Sequence, residues 1–307
     1  MPFYPMIPEP LAMMARNPFI TDLSSDGPIP YVMRQKLAKT PALPSPETLR
    51  DRTILITGAS GGVGLSAARQ FLSLGSRLIL SVRDKSKGNE IKQQLLHDYP
   101  QSTITVFELD LASFESVNRF SKSVGDLLNG NGLDVAIMNA ATTSQEWTTT
   151  LDRHEKLLQV NFLSTAFLSL LLVPFLRTGS RPGRLVIISS EAHAWSTYSP
   201  PEGKEIIADL DEDSSDFANR YNLTKMLITL WTEALSRSVD SKNLEIVMST
   251  PGFCASELFR ESQGVLLRFI NLTSARSVDY GGRTHLHAAT VPLSKNAQYM
   301  RDGQETL

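Results

Sequence analysis

Short apolar runs alternate with longer amphipathic stretches from residue 53 to the end of the chain. The short runs are almost continuously apolar, which is typical of strands in a sheet whose two faces are both covered. The longer stretches have the spacing of helices that bury one face. Regular alternation of the two predicts an α/β fold, in which a single doubly wound parallel sheet carries helices on both faces.

The same pattern predicts the boundaries of the elements. Residues 1–45 are rich in proline and carry little periodicity, so we expect an N-terminal arm with a possible short helix near 31–38. One domain over residues 46–307 should follow. We expect strands at 53–57, 77–82, 103–109, 134–139, 184–189, 244–250 and 298–300, and helices at 63–74, 84–98, 113–128, 151–176, 216–239 and 275–289.

Composition narrows the functional classes. The chain has 307 residues and a formal net charge of −2, which gives no support to a nucleic-acid partner held by phosphate contacts. The single cysteine, Cys254, excludes an internal disulfide and a cysteine-rich metal site. The five histidines show no metal-ligand spacing, so we expect no metal. The most apolar run, residues 162–176, is shorter than the ~20 residues of a membrane span, and we expect a cytoplasmic protein without one.

A glycine-rich turn follows the first predicted strand. Glycines let the backbone turn tightly and approach a pyrophosphate, whose charge is favoured at a helix N-terminus. A turn without a ligand is the alternative, but the strand–turn–helix context favours a dinucleotide site. The spacing Gly58 to Gly62 to Gly64 departs from the usual G-x-G-x-x-G. We expect cofactor contacts from Thr57, Gly58, Ser60, Gly61, Gly62, Val63 and Gly64.

The end of the second predicted strand bears on the choice of cofactor. An NAD site usually places an acidic residue at this tip, where this chain has Val82. The next residue, Arg83, suits bidentate recognition of a 2′-phosphate, which favours NADP(H) over NAD(H). The alternative is that Arg83 is a solvated surface residue and Asp84 binds the ribose.

Two further strand ends contribute candidates for the cofactor site. Asp110, followed by Leu111, could accept a hydrogen bond from the adenine amino group, although a helix N-cap is an equally good reading of the aspartate. Asn139 and Ala140 follow the fourth strand, where small residues would let a cofactor lie against the backbone.

Tyr221 and Lys225 lie four residues apart in a helical stretch, which places both side chains on one face. A charged lysine nearby favours tyrosinate and is expected to lower the tyrosine pKa. Such a tyrosine can exchange a proton with a substrate oxygen near neutral pH. The spacing alone is common by chance, so its weight depends on the motifs around it.

Taken in order, these motifs resemble the short-chain dehydrogenase/reductase family, within a Rossmann-like fold. The resemblance covers about residues 45 to 303. Residues 78–88, 108–113, 159–161 and 281–290 are similar to the retinol-dehydrogenase-like branch, and residues 251–258 are reminiscent of fungal secondary-metabolism members. The ordered elements are the glycine turn 57–64, Asp110, Asn139-Ala140-Ala141, Asn161, Ser190, Tyr221 with Lys225, and Pro251-Gly252.

The resemblance implies a role for each matching residue. Tyr221 is expected to be the general acid/base, and Lys225 to hold the nicotinamide ribose and tune Tyr221. Ser190 is expected to hydrogen-bond the reacting oxygen, and Asn161 to anchor a water in a proton relay. Pro251 and Gly252 would form the loop beside the nicotinamide, with Ser256 on the carboxamide. Many relatives dimerise through the helices carrying Asn161 and Tyr221, so a homodimer is also implied.

The chain departs from the family pattern in three places. Ala141 stands where the family usually has glycine. A longer segment, residues 195–220, separates Ser190 from Tyr221, and we expect it to shape the substrate pocket while most of its acidic residues remain solvated. Related sequences usually continue beyond the position of Leu307, so we expect the substrate lid to be reduced or contributed by the N-terminal arm.

These readings lead to one main hypothesis and two alternatives. The main one is NADP(H)-dependent reduction of a ketone or aldehyde, or oxidation of a secondary alcohol, on a hydrophobic small molecule. Phe253 and the apolar residues of 258–269 could form an apolar pocket wall, although packing on the core is an equal explanation. The alternatives are an NADP(H)-binding scaffold, against which the Ser190, Tyr221 and Lys225 set argues, and a non-redox epimerase or cyclisation catalyst.

Overall fold

We describe the protein from a computed structural model. The structure describes residues 28–144, 146–176, 181–199, 201–212, 219–255 and 275–306. Ser256 and the apolar residues of 258–269 lie outside these ranges, as does most of the N-terminal arm.

One eight-stranded sheet organises the described chain, in the order β3-β2-β1-β4-β5-β6-β7-β8. Strands β1 to β7 are parallel, and β8 runs antiparallel to β7. This confirms the predicted doubly wound sheet and adds a final short strand that the pattern did not predict. The strands are β1 Thr53–Thr57, β2 Arg77–Val82, β3 Ile104–Glu108, β4 Val135–Met138, β5 Gly183–Ile188, β6 Leu244–Thr250, β7 Gln298–Arg301 and β8 Gln304–Thr306.

Helices connect these strands and cover both faces. Short 3-10 turns occur at Pro46–Thr48 and Glu191–Trp195, and a π turn at Gln159–Leu163 lies inside the fifth helix. The described helices are α1 Pro28–Leu37, α2 Gly62–Ser73, α3 Lys85–Asp98, α4 Phe114–Leu128, α5 Lys156–Leu176, α6 Ile206–Leu210, α7 Arg220–Arg237 and α8 Val278–Thr290.

Capping side chains set several of the helix starts. Asp84 accepts the backbone N–H groups of Ser86 and Lys87 at the start of α3. Ser113 caps α4 in the same way, so the helix-cap alternative for Asp110 is not what the structure shows. Helix α5 begins five residues later than predicted, because the fully buried Glu155 caps it through the N–H groups of Leu157 and Leu158.

Side chains alternate along the central strands and build one core on each face of the sheet. On β1, Leu55 joins the core under α4, α5 and α7, whereas Ile54 and Ile56 join the core under α2, α3 and α8. Helix α5 is the one described helix long and apolar enough to cross a membrane. However, 67% of its most apolar window is buried inside the protein, as in a core helix.

The segment between Ser190 and Tyr221 is tied to the body of the protein. The Asp211 carboxylate contacts His154 Nδ1 at 2.7 Å and accepts the Glu155 N–H at 2.8 Å. Asp209 accepts the Tyr198 hydroxyl at 2.7 Å. Asp211 therefore joins the segment to the residues before α5, and Asp209 braces the segment internally, so both are exceptions to the expectation that most acidic residues here are solvated.

Candidate active site

A cleft of about 770 Å³ opens at the carboxyl ends of the strands. It lies where β1 and β4 adjoin, the point from which the chain winds in opposite directions and where such sheets bind ligands. Residues predicted from separate parts of the sequence meet here. The cleft is lined by Gly58, Ser60, Gly61, Gly62, Val63, Gly64, Arg83, Asp110, Leu111, Asn139, Ala140, Ser190, Tyr221, Lys225, Pro251 and Gly252, among others.

The glycine turn at the start of α2 leaves no room for side chains at two positions. Gly58 has a φ of +67°, and a Cβ there would lie 2.9 Å from Ala140 Cα. A Cβ on Gly64 would lie 2.5 Å from the Gly58 carbonyl oxygen. The turn is thus packed directly on the residues that follow β4, and the N-terminus of α2 faces the cleft, as an anion site requires.

Asn139 holds this turn, and a buried histidine holds Asn139. The Asn139 amide donates to the Thr57 carbonyl at 2.8 Å, while its Oδ1 is 2.9 Å from His285 Nε2. Because Oδ1 can only accept, His285 carries its proton on Nε2. Burial lowers the His285 pKa to about 3, so the ring is neutral. The spacing of the histidines gave no hint of this contact, which depends on α8 packing against the β4 end.

The residues at the tip of β2 bear on whether the cofactor is NADP(H), bound by Arg83, or NAD(H), bound by Asp84. Val82 is buried, and Arg83 is exposed on the cleft wall. Asp84, the alternative ribose ligand, has its Oδ1 engaged by two backbone N–H groups of α3. No acidic side chain therefore points into this end of the described cleft from the β2 tip, whereas a guanidinium lines it.

Asp110 lies at the same end of the cleft, after β3. Its Oδ1 accepts the N–H of Ala112 at 2.9 Å, and its own N–H donates to Ser116 Oγ at the same distance. These bonds fix the loop that also brings Leu111 into the cleft wall.

Ser190, Tyr221 and Lys225 come together at the other end of the cleft. The Ser190 hydroxyl accepts the Ala192 N–H at 3.2 Å and hydrogen-bonds the Tyr221 phenol, where it lowers the tyrosine pKa. Lys225 Nζ lies 5.8 Å from the Tyr221 ring centroid and donates to the Ile188 carbonyl at 2.9 Å. The three groups therefore surround one point above β5.

The Tyr221 pKa is raised rather than lowered, which corrects our expectation. Burial raises it to about 12, and the Ser190 hydrogen bond opposes this only in part. Burial also lowers the Lys225 pKa to about 8, because no carboxylate shares its site. In the protein alone, Tyr221 is thus a neutral phenol at pH 7, which is the form that donates a proton.

Two expected site residues lie behind the cleft wall. Thr57 is buried, and its Oγ1 accepts the Ala140 N–H at 3.0 Å, so it joins β1 to β4 instead of reaching a cofactor. Asn161 is also buried. Its side chain bonds both backbone groups of Thr142 and donates to Thr224 Oγ1 at 3.2 Å, so it ties the loop after β4 to α7, and its expected role in anchoring a water stays a prediction.

His193 does not reach the cleft. Its Nδ1 lies 2.5 Å from the Ser190 carbonyl oxygen, and its ring packs on Tyr299 of β7. It supports the turn that carries Ser190 from behind. The described residues contain no group of histidine, cysteine and carboxylate side chains that could hold a metal ion.

The cleft fits a nicotinamide dinucleotide. Its floor is a glycine turn without Cβ atoms at the N-terminus of a helix, which suits a pyrophosphate. One end has the Arg83 guanidinium, and the other has the Lys225 ammonium beside Tyr221. The charged and small groups are therefore distributed as an extended dinucleotide requires.

Comparison with known proteins agrees with this geometry. The short chain dehydrogenase profile matches residues 52–199. Short chain dehydrogenase resG of Aspergillus sclerotiorum is 42% identical and aligns with 98% of this chain and 89% of its own length. Short chain dehydrogenase rstn4 of Aspergillus nomiae is also 42% identical, over 98% and 86%.

A solved structure has the same fold. The short-chain dehydrogenase of Sphingobium yanoikuyae in complex with NADPH superposes with a TM-score of 0.58 over 76% of this chain and 83% of its own, at 20% identity. The sequence relatives decide the family. The chain belongs to the short-chain dehydrogenase/reductase family of NAD(P)-dependent oxidoreductases, which act on the CH–OH and C=O pair.

Proposed function

We propose that this protein reduces a ketone or aldehyde carbonyl of a hydrophobic small molecule with NADPH, or runs the reverse alcohol oxidation. The observation that carries the proposal is the convergence of Tyr221, Ser190 and Lys225 at one end of the cleft. An NADP(H)-binding scaffold has no need of an ionisable phenol hydrogen-bonded to a second hydroxyl at this point.

The cofactor choice is supported by the β2 tip. The Arg83 guanidinium would bind a 2′-phosphate, and the capping role of Asp84 leaves it unsuited to a ribose hydroxyl. We place the pyrophosphate on Gly61, Gly62 and the N-terminus of α2, and the adenine near Asp110 and Leu111. Pro251 and Gly252 would border the nicotinamide. NADPH, when bound, supplies the hydride.

The residues of this chain supply orientation and the proton. Ser190 Oγ accepts the Ala192 N–H and hydrogen-bonds the Tyr221 phenol, so both hydroxyls face the position where the substrate oxygen would bind. Tyr221 is protonated at neutral pH and donates to the oxygen as negative charge develops there. The Lys225 ammonium stabilises the resulting tyrosinate and would hold the nicotinamide ribose.

The preference for a hydrophobic substrate is supported by the cleft wall. Val160, Ala192, Trp195 and Phe253 line it beside the reacting groups, and the Trp195 side chain is 41% exposed. The relatives at 42% identity are both fungal, which fits the resemblance of residues 251–258 to fungal secondary-metabolism members.

A carbonyl panel tests the function. The protein is incubated with NADPH and, in turn, acetophenone, benzaldehyde, decanal and menadione, and NADPH loss is compared with alcohol or quinol formed. We expect one NADPH consumed per product with at least one probe. Tight NADPH binding with no turnover would favour the scaffold, and a rearranged product without NADPH loss would favour the non-redox alternative.

A further inference from the structure

The carboxyl ends of β5, β6 and β7 are crossed by a segment that precedes the profile-matched residues. We define this segment, residues 28–41, as the N-terminal strap. It contains α1 and the extended residues after it. The strap lies over the loops that follow β5 and β6. Ser190 lies in the first of these loops and Pro251 in the second, so the strap adjoins the reaction site.

The first contact of the strap is ionic. Arg34 forms ion pairs with Glu191 and with Asp302. The Glu191 side chain is only 6% exposed, and it follows Ser190 directly in the chain. A buried carboxylate needs a compensating cation, and removing one partner of such a pair is costly. Arg34 thus stabilises the position of the turn whose N-cap is Ser190.

The second contact of the strap is a buried amide. Gln35 is 3% exposed, and its Oε1 accepts the Phe253 N–H at 2.9 Å. Its backbone carbonyl accepts Arg276 Nε, also at 2.9 Å. These bonds hold the loop after β6, in which Gly252 and Phe253 line the cleft.

Gly252 shows how closely Gln35 is seated. Its φ is +71°, and a Cβ there would lie 2.7 Å from Gln35 Oε1 and 2.8 Å from Arg276 Nη1. The loop conformation beside the cleft and the presence of the strap therefore depend on each other.

Further contacts fix the far end of the strap. The Arg276 guanidinium pairs with Asp302 at 2.5 Å, so one carboxylate serves both Arg34 and Arg276. The Pro41 carbonyl accepts Arg283 Nη1 at 3.2 Å. The strap therefore joins the loops after β5 and β6 to the β7–β8 turn and to α8.

We propose that Arg34 and Gln35 are positioning residues for the reaction: Arg34 acts through Glu191 on Ser190, and Gln35 acts on the Pro251–Phe253 loop. This rests on the proposed function, because it assigns the strap to the site of carbonyl reduction. Neither residue lines the cleft, so each acts by fixing a loop that does.

The test compares Arg34→Ala, Gln35→Ala and the control Lys36→Ala, whose wild-type residue is exposed on the same helix. Measured quantities are kcat and KM with the best of the four carbonyl probes, the NADPH dissociation constant by fluorescence, and the melting temperature. For Arg34→Ala we expect kcat to fall about tenfold or more, as small displacements of reacting groups do, while NADPH affinity stays within about threefold. Gln35→Ala should weaken NADPH binding, and Lys36→Ala should match the wild type.

Two further variants separate positioning from general stability. Arg34→Lys, which keeps the cation, should restore most of kcat. The double variant Arg34→Ala/Glu191→Gln should have a kcat no lower than that of Arg34→Ala alone, because both substitutions remove the same ion pair. Wild-type kcat and NADPH affinity in Arg34→Ala and Gln35→Ala would overturn the proposal. If Arg34→Ala does not fold, a wild-type kcat in Arg34→Gln, which removes the cation but keeps a long polar side chain, together with wild-type NADPH affinity in Gln35→Asn would overturn it equally.

The outcomes also separate this inference from the proposed function. An active wild type that loses turnover on Tyr221→Phe but not on Arg34→Ala would refute the strap and keep the function. A wild type inactive on every probe would refute the function as proposed. In that case, weakened NADPH binding by Gln35→Ala would support the role of the strap, and unchanged binding would refute it.

Discussion

The Lys225 ammonium lies 5.8 Å from the centroid of the Tyr221 ring, and its Nζ donates to the Ile188 carbonyl at the end of β5. The strand end thus fixes the cation beside the phenol. Burial of both groups moves their pKa values apart, down to about 8 for Lys225 and up to about 12 for Tyr221.

The first prediction concerns pH. The Lys225 pKa is lowered, so its charge is lost as the pH rises through about 8 instead of through 10.5. We expect kcat/KM for carbonyl reduction to fall as the pH rises through that value, since this ratio reports groups of the free enzyme. Lys225→Arg, which keeps its charge, should show lower activity but no inflection there. A wild-type profile that is flat to about pH 10 would contradict the assignment.

The second prediction concerns Arg83. Arg83→Ala should weaken NADPH binding by about tenfold to a hundredfold, the usual range for a charged hydrogen bond, and leave NADH binding unchanged. The control is Arg77→Ala, which removes an exposed arginine from the opposite end of the same strand. Equal effects on both cofactors, measured as the ratio of kcat/KM values, would refute NADP selection by Arg83.

The third prediction concerns the buried support of the glycine turn. His285→Leu removes the donor to Asn139 Oδ1 and leaves that oxygen unpaired, at a cost of about 1–3 kcal/mol. We expect NADPH affinity to fall by about tenfold. His287→Leu, on the same helix, is the matched control and should bind NADPH normally. Identical affinities for the two variants would show that His285 does not support the turn.

The fourth prediction concerns stability in acid. The pKa values of His285 and His193 are lowered to about 3 and about 4 from 6.5. The unfolded chain therefore binds protons first, and stability falls as the pH drops below 6.5, by up to about 1.4 kcal/mol per pH unit for each histidine. Urea unfolding at pH 7 and pH 5 measures this loss. His285→Gln should lose less stability than the wild type, and an equal loss would contradict the assignment.

Much of the fold was predictable because burial imposes regular patterns. The apolar runs located seven strands, and the Gly58–Gly64 turn and the pair Tyr221 and Lys225 marked both ends of the cleft. The late start of α5 was not predictable, since it depends on the burial of Glu155 as a cap. The raised Tyr221 pKa also required the structure, because desolvation outweighs the Ser190 hydrogen bond there.

The rest of the site depends on contacts between residues that are far apart in the sequence. Gln35 meets Phe253 across 218 residues, and His285 meets Asn139 across 146. No local spacing relates either pair. The proline-rich composition around α1 indicated an N-terminal arm. Only the packing of Arg34 and Gln35 shows which loops the strap contacts.

The most direct test of the central claim is a comparison of wild type and Tyr221→Phe in NADPH-dependent carbonyl reduction. The substitution keeps the ring and removes the proton that Tyr221 donates. We predict that kcat falls by about 100-fold to 10,000-fold, the range for loss of a general acid, while the NADPH dissociation constant changes by less than about threefold. Turnover by Tyr221→Phe at the wild-type rate, with NADPH bound normally, would contradict the account.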